Sequence, residues 1–478
     1  MRSAPSAICR ALTVAKLLLA VGVTAMLQPQ AASIRLEVKS EVVVARPTIM
    51  ADEDRAAFSE DARHAAYPVG GREQRVCLDG VEGKAYDVVS NLTFSPDGKR
   101  LAYWAMTRTN VMVVVDGKEA KAPVFASYGE APLFSPDSRH LAFGGGWGYS
   151  RGVVVMDDRI GPVYPALGEL RFSPDSQHFA HMATRDDKTN IIVLDGREIP
   201  VPDEIVENTC TFSPDGRRFA YGLGLPPKSR YVVDGQAGPV FTGVGDCYFS
   251  PDSRRFAYVA RRGSESLVIL DGKEVASGEG TLDGTVVFSP DSRRFTVGQG
   301  RGGKSWLKVD NREFGPYGEL GVAAVSFSPD SRRFACAACR DRKWMIIVDG
   351  KESLGWESAG GHVFSPDSQH IAYWAKRGGV WCVVLDGAAG KAYQHPAFPL
   401  LFSADSRHLA TLAQRADDDA VPLVDGVEGP TFEKIFKLAF DRPGQIRLLA
   451  QRRGTMGRKE WVSVELDIVN TSRSAVTD

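Results

Sequence analysis

The chain is 478 residues long, 43% hydrophobic and 24% charged, with 58 Lys and Arg against 59 Asp and Glu. This is the composition of a soluble globular protein with material for a large core. A formal net charge of −1 demands neither nucleic acid nor an acidic membrane surface as partner.

The N-terminus carries Arg2, Arg10 and Lys16, then an apolar run from Leu17 to Leu27, then small residues at Ala31-Ala32-Ser33. Residues 1–32 therefore read as a secretory signal peptide, with the mature protein exported to a periplasmic or extracellular space. The apolar run is short for a transmembrane helix, and no Cys follows it to take a lipid. Cleavage removes three positive charges and no negative ones, which leaves a net charge of −4. Six cysteines remain, Cys77, Cys210, Cys247, Cys336, Cys339 and Cys382, at unrelated positions in predicted strands, and they read as scattered buried thiols.

Residues 33–72 belong to no repeat and read as an N-terminal extension. Ile34, Leu36 and Val38 alternate like a short strand, while Phe58, Ala62 and Ala65 stand at helical spacing in a charged, Ala-rich stretch. From residue 73 to 467 one unit recurs, seen first as Phe94-Ser95-Pro96-Asp97-Gly98-Lys99-Arg100-Leu101-Ala102-Tyr103. Copies begin at Phe134, Phe172, Phe212, Phe249, Phe288, Phe327, Phe364 and Phe402, with a worn tenth at Phe440, in steps of 37 to 40 residues. Residues 468–478 are left as a C-terminal tail.

Within a unit, a short strand ends at Ser95, and Pro96-Asp97-Gly98 is turn chemistry: Pro sets φ, Asp bonds its own backbone, and Gly accepts positive φ. Leu101 to Ala105 is a second strand, Val111 to Val115 a third, Asp116-Gly117 a tight hairpin, and Val124 to Ser127 a fourth strand. Four strands in about 38 residues leave no room for a helix, and this period is that of a propeller blade. The fold class is therefore all-β, a β-propeller of about ten four-stranded repeats closed as one wide ring, with two smaller tandem propellers as the alternative. Arg75 to Asp79 matches a third strand, Ala85 to Val89 a fourth, and Leu438 to Phe440, Ile446 to Ala450 and Trp461 to Leu466 match a first, second and third. The two ends thus complement each other as a mixed blade with one surplus strand.

The Ser-Pro-Asp-Gly turn between first and second strands resembles the propeller repeats of TolB, within the broader WD-repeat-like class. The resemblance spans roughly residues 73 to 467 and implies a non-catalytic scaffold binding protein or peptide. Related repeats also occur in polysaccharide lyases and beside peptidase domains, so repeat type does not settle activity.

Several motifs meet plainer readings. Gly298-Gln299-Gly300-Arg301-Gly302-Gly303-Lys304-Ser305 matches a phosphate-binding loop, but the predicted strand Trp306 to Asp310 stands where the required helix should start. Cys336 and Cys339, three apart on a strand, point to opposite faces and do not share a metal. His140, His178, His370 and His408 occupy the slot filled elsewhere by Arg100, Arg218, Arg255, Arg294 and Arg333, which marks a repeat feature. No GxSxG elbow is present. No catalytic residue, cofactor or metal is assigned.

Loops joining second to third strands open on one face and are basic, with Lys228, Arg230, Arg301, Lys304, Arg340, Arg342, Lys343, Lys376 and Arg377 as the candidate partner-binding rim. Loops joining fourth to first strands share that face and carry Glu130, Glu169, Asp203, Glu204, Glu207, Asp246, Glu279, Glu319 and Glu357, so a salt-bridged surface is expected. The alternative function is a lyase or hydrolase of an anionic glycan acting through the basic loops at the central channel.

Overall fold

The computed structural model describes residues 34–47, 55–120, 131–146, 151–279, 286–415, 419–454 and 457–471. Residues 1–32, expected to be a signal peptide, the strand expected at Val124 to Ser127, Glu130 and the end of the stretch read as a C-terminal tail lie outside these residues. Among the described residues no helix is long and apolar enough to cross a membrane.

Every strand follows the repeat, and the described strands form eleven four-stranded antiparallel sheets. In chain order these are blade 1 (residues 57–82), blade 2 (88–119), blade 3 (133–164), blade 4 (166–200), blade 5 (211–237) and blade 6 (243–279). Blade 7 (287–317), blade 8 (319–352), blade 9 (358–393) and blade 10 (395–428) follow. Blade 11 takes its inner three strands from Lys434–Arg442, Gln445–Arg453 and Lys459–Asn470, and its outer strand, Ile34–Ala45, from the other end of the chain. The last strand thus runs into the stretch read as a tail.

The chain closes as one ring. Its buried apolar side chains fall into eleven clusters, one at each interface between neighbouring blades. A blade is too thin to bury anything by itself, so each face of its sheet is covered by the next sheet around the axis. At the closing interface Val44, Leu449 and Trp461 of blade 11 pack on Ala65, Tyr67 and Cys77 of blade 1. On its other side, Leu438, Ile446 and Leu448 of blade 11 pack on Leu412, Val424 and Phe432. No break divides the array into two propellers.

Eleven blades replace the ten expected. The missed copy is Phe58-Ser59-Glu60-Asp61-Ala62-Arg63-His64, which keeps the Phe, Ser, Asp and His positions but has Glu for Pro and Ala at the residue with positive φ (57°). Phe58, Ala62 and Ala65 are therefore hairpin residues, with Ala57–Phe58 paired to Ala65–Gly70, and their helical spacing is coincidental. The apparent surplus disappears for the same reason. The third strand near Arg75 belongs to a complete blade 1, and the alternation at Ile34, Leu36 and Val38 is the start of the twelve-residue closing strand.

The turns are built alike around the ring. Ser95 Oγ donates to Asp97 Oδ1 at 2.7 Å and accepts the Arg100 N–H at 3.0 Å. Equivalent pairs run from Ser59 to Ser403. These serines are fully buried, so the turn Asp is consumed in holding its own hairpin, and the Ser95 hydroxyl and the Lys99 N–H keep the Asp97 carboxyl below its ordinary range.

One contact links successive turns: the Asp97 N–H donates to Ser138 Oγ of blade 3, and Asp137 does the same to Ser176 of blade 4. The Arg or His slot spans the same face. Arg294 Nε donates to Asp310 at 3.0 Å, its Nη1 reaches the Ser331 and Arg332 carbonyls of blade 8, and the guanidinium lies 5.0 Å from the Phe327 ring centroid. His140, His178, His370 and His408 pair with Asp157, Asp195, Asp386 and Asp425 at 2.6 to 2.7 Å, and His64 pairs likewise with Asp79.

One of these pairs carries a pH dependence. The hydrogen bond that His408 Nδ1–H donates to Asp425 holds His408 above its ordinary value despite partial burial, so the folded chain stabilises the charged imidazole. That contribution is complete below about pH 6.5 and is lost as pH rises through the raised folded value. Scanning calorimetry from about pH 6.5 to 8.5, a range in which His181 and His362, lowered by burial, stay neutral, should show the melting temperature falling with rising pH, and His408→Arg should reduce that slope. An unchanged slope in the variant would count against this pair as its source.

Candidate functional site

Second-to-third and fourth-to-first connections open on the face opposite these turns, as the strand order requires. The candidate rim residues all lie there, on blades 5, 7, 8 and 9, but they do not converge. Arg301 pairs with Glu313 at 2.8 Å and lies over the Trp306 ring, and Arg340 pairs with Glu352 at 2.9 Å and lies over Tyr317. Arg377 stacks 4.4 Å from the Trp356 centroid, and Lys376 sits over Trp381. Lys228, Arg230, Lys304, Arg342 and Lys343 occupy turns or third-strand starts and pair with no carboxylate among the described residues.

The expected interleaving of charges is present in a different form. Arg301 and Arg340 take glutamates of their own fourth strands, whereas Glu357 of a fourth-to-first connection accepts the Gly378 and Gly379 N–H groups at 2.7 and 3.3 Å. Those two donors hold its carboxyl below the ordinary range. Arg453 does pair across connections, with Glu433 at 2.5 Å.

The glycine-rich stretch at Gly298 is a hairpin. Arg301 pairs with Lys304 across Gly302 and Gly303, both at positive φ, so no helix N-terminus is available for a phosphate. Cys336 is wholly buried and Cys339 half-buried; burial pushes the Cys336 thiol up to about 12. All six cysteines described are free.

A concave site lies elsewhere on this face, between blades 3 and 4. It is a cavity of about 790 Å³ walled by Leu133, Gly144 to Gly146, Arg151 and Gly152 on one side and by Pro165 to Leu170 and Met182 on the other, with Glu207 and Asn208 from the next connection. Its cause is local. The second strand Leu141–Gly146 ends in three glycines, and among the described residues the buried cluster at this interface is the smallest of the eleven, with Tyr164, Ala183, Ile191 and Val193. A side chain at Gly152 would collide with Leu167, so these glycines let blade 4 approach at one point and leave space at another.

Charge inside the cleft is held by Glu169, which ion-pairs with Arg171 through Oε1 while Oε2 is buried without a donor. Glu169 was among the acidic loop residues singled out from sequence; the glycine triplet was not. The available signal was a run of three glycines at the positions that carry Trp104-Ala105-Met106 in blade 2.

No protein-family model matches the chain, and no curated protein matches it. Solved structures do. A eukaryotic initiation factor is 14% identical, with a TM-score of 0.36 over 66% of this chain and 89% of its own. The Dos1 propeller is 13% identical, with a TM-score of 0.32 over 64% of this chain and 93% of its own. TolB from Acinetobacter baumannii is 12% identical, with a TM-score of 0.26 over 63% of this chain and 80% of its own. Each is a likeness of fold and carries nothing about activity.

Proposed function

We propose that this chain is an exported, TolB-like, non-catalytic scaffold that binds protein or peptide partners on its connection face. The observation that carries the reading is the cleft between blades 3 and 4, a concave surface of mixed apolar and acidic lining. The candidate rim residues are the second contact surface, since Lys228, Arg230, Lys304, Arg342 and Lys343 have no carboxylate partner among the described residues. Export is supported by the cationic, apolar and small-residue order of residues 1–33.

The test uses the purified mature chain against a peptide array and, in parallel, a panel of uronate polymers. Peptide binding without depolymerisation is the expected result. Steady chain cleavage of a uronate polymer would replace the scaffold with the anionic-glycan enzyme.

A further inference from the structure

One repeat position is charged in the same way in six blades and neutralised in only five of them. The sixth residue after the start of the second strand is Arg185, Arg262, Arg301, Arg340, Arg377 and Arg415 in blades 4, 6, 7, 8, 9 and 10. All but Arg377 pair with a glutamate on the fourth strand of their own blade: Glu198, Glu274, Glu313, Glu352 and Glu428. These glutamates share one register, opposite Val193, Ile269, Lys308, Ile347 and Leu423 of the third strand. In blade 9 that register, opposite Val384, is held by the exposed Ala389. Arg377 keeps the position without the carboxylate.

We infer that Arg377 anchors a docking surface for an extended acidic segment of a partner protein, whose carboxylate takes the place of the glutamate that blade 9 lacks. The inference rests on the scaffold reading. The side chain is exposed yet fixed, since its guanidinium lies 4.4 Å from the ring centroid of the buried Trp356, and it makes no ion pair among the described residues. Stacking leaves the planar fork of N–H groups free at its edge, the geometry that takes a carboxylate through two bonds. Glu357 feels the charges of Lys376 and Arg377, but its oxygens accept the Gly378 and Gly379 N–H groups and it pairs with neither cation.

The surroundings specify the occupant. At the neighbouring tip of blade 8, Arg342 and Lys343 are exposed and pair with no carboxylate among the described residues, with Asp341 as the one acid of that tip. Asp341 and Arg342 have φ of 52° and 62°, at places held by Gly302-Gly303 in blade 7 and Gly378-Gly379 in blade 9. A long side chain kept in the left-handed region where both neighbours have glycine costs stability. Leu354 is 65% exposed, and a side chain on the next residue, Gly355, would meet that of Lys343. An extended segment that alternates carboxylates with apolar side chains presents a partner to these cations and to Leu354. A polyuronate fits less well, because it has no aliphatic side chain for Leu354, and the indoles of Trp356 and Trp381 already carry Arg377 and Lys376.

The probe is a fluorescein-labelled octapeptide of alternating Glu and Leu, read by anisotropy against the purified chain at low and moderate salt. Saturable binding that weakens with salt is expected, with no binding of the Gln-Leu counterpart. Arg377→Gln should weaken binding about tenfold, the loss of one charge-assisted contact. Ala389→Glu should weaken it as much while leaving Arg377 in place, because the blade then supplies its own carboxylate, and the melting temperature should not fall. Arg342→Gly should also weaken binding, with a melting temperature that holds or rises as the positive φ passes to glycine. Should Ala389→Glu fail to fold, Arg377→Gln decides. Wild-type affinity in Arg377→Gln or in a folded Ala389→Glu, equal affinity for the Gln-Leu peptide, no binding of the Glu-Leu peptide, or tighter binding of polygalacturonate overturns the inference. If array peptides still bind in those cases, the scaffold reading stands without it.

Discussion

Removal of the strand Ile34–Ala45 from the chain is expected to abolish unfolding as a single cooperative unit. That strand is the outer member of blade 11 and pairs with Lys459–Asn470 from Ile34 opposite Asn470 to Ala45 opposite Trp461. Ile34 contributes to the interface with blade 10, and Val44 and Ala45 to the interface with blade 1. Burial of two large aliphatic side chains and loss of one side of a long ladder amount to a cost on the order of 5 kcal/mol. A whole domain is typically stable by about 5 to 15 kcal/mol, so a loss of this size is enough to open the ring. The deletion also bares Lys459–Asn470 as a long edge, which invites association between chains. Calorimetry and gel filtration should show a broadened, lowered transition and higher oligomers. A monomer melting in one sharp step at the original temperature would mean that the ring does not depend on this closure.

Trp461→Ala should be the most damaging single substitution, at about 3 to 5 kcal/mol. The indole is wholly buried, with ring centroids of Phe58, Tyr67 and Phe436 at 5.6, 4.8 and 5.1 Å. Its Nε1 donates to Gln451 Oε1 at 3.1 Å. Phe58 and Tyr67 belong to blade 1, Phe436 and Trp461 to blade 11, so the side chain joins the first and last parts of the ring. Trp461→Phe keeps most of the ring contact and leaves Gln451 Oε1 without its donor, at a smaller cost of about 1 to 3 kcal/mol. Urea titration should place the midpoints in the order wild type, Trp461→Phe, Trp461→Ala, with similar slopes. An alanine variant indistinguishable from wild type would contradict the aromatic closure.

The candidate site was only partly legible in advance. Glu169 and Glu207 could be named as acidic connection residues, and the basic rim could be placed on the correct face, because strand order alone dictates which connections share it. Which carboxylate each Arg would take could not be read. Arg301 reaches Glu313 and Arg340 reaches Glu352 along their own blades, at distances set by side-chain packing over Trp306 and Tyr317. The cleft itself depends on absent side chains at Gly144 to Gly146 and on how closely blade 4 can then approach.

From the amino acids alone came the blade: turn chemistry, strand period and the interchange of Arg and His are local, and they repeat with enough regularity to be read without coordinates. Blade number and closure were decided only in three dimensions. Phe58 to His64 is recognisable as a blade hairpin once Ala62 is seen at positive φ and Tyr67 is seen against Trp461, residues separated by almost the whole chain. A local pattern can specify each sheet, but the angle at which sheets pack, summed around an axis, determines how many complete the ring and where a gap is left between two of them.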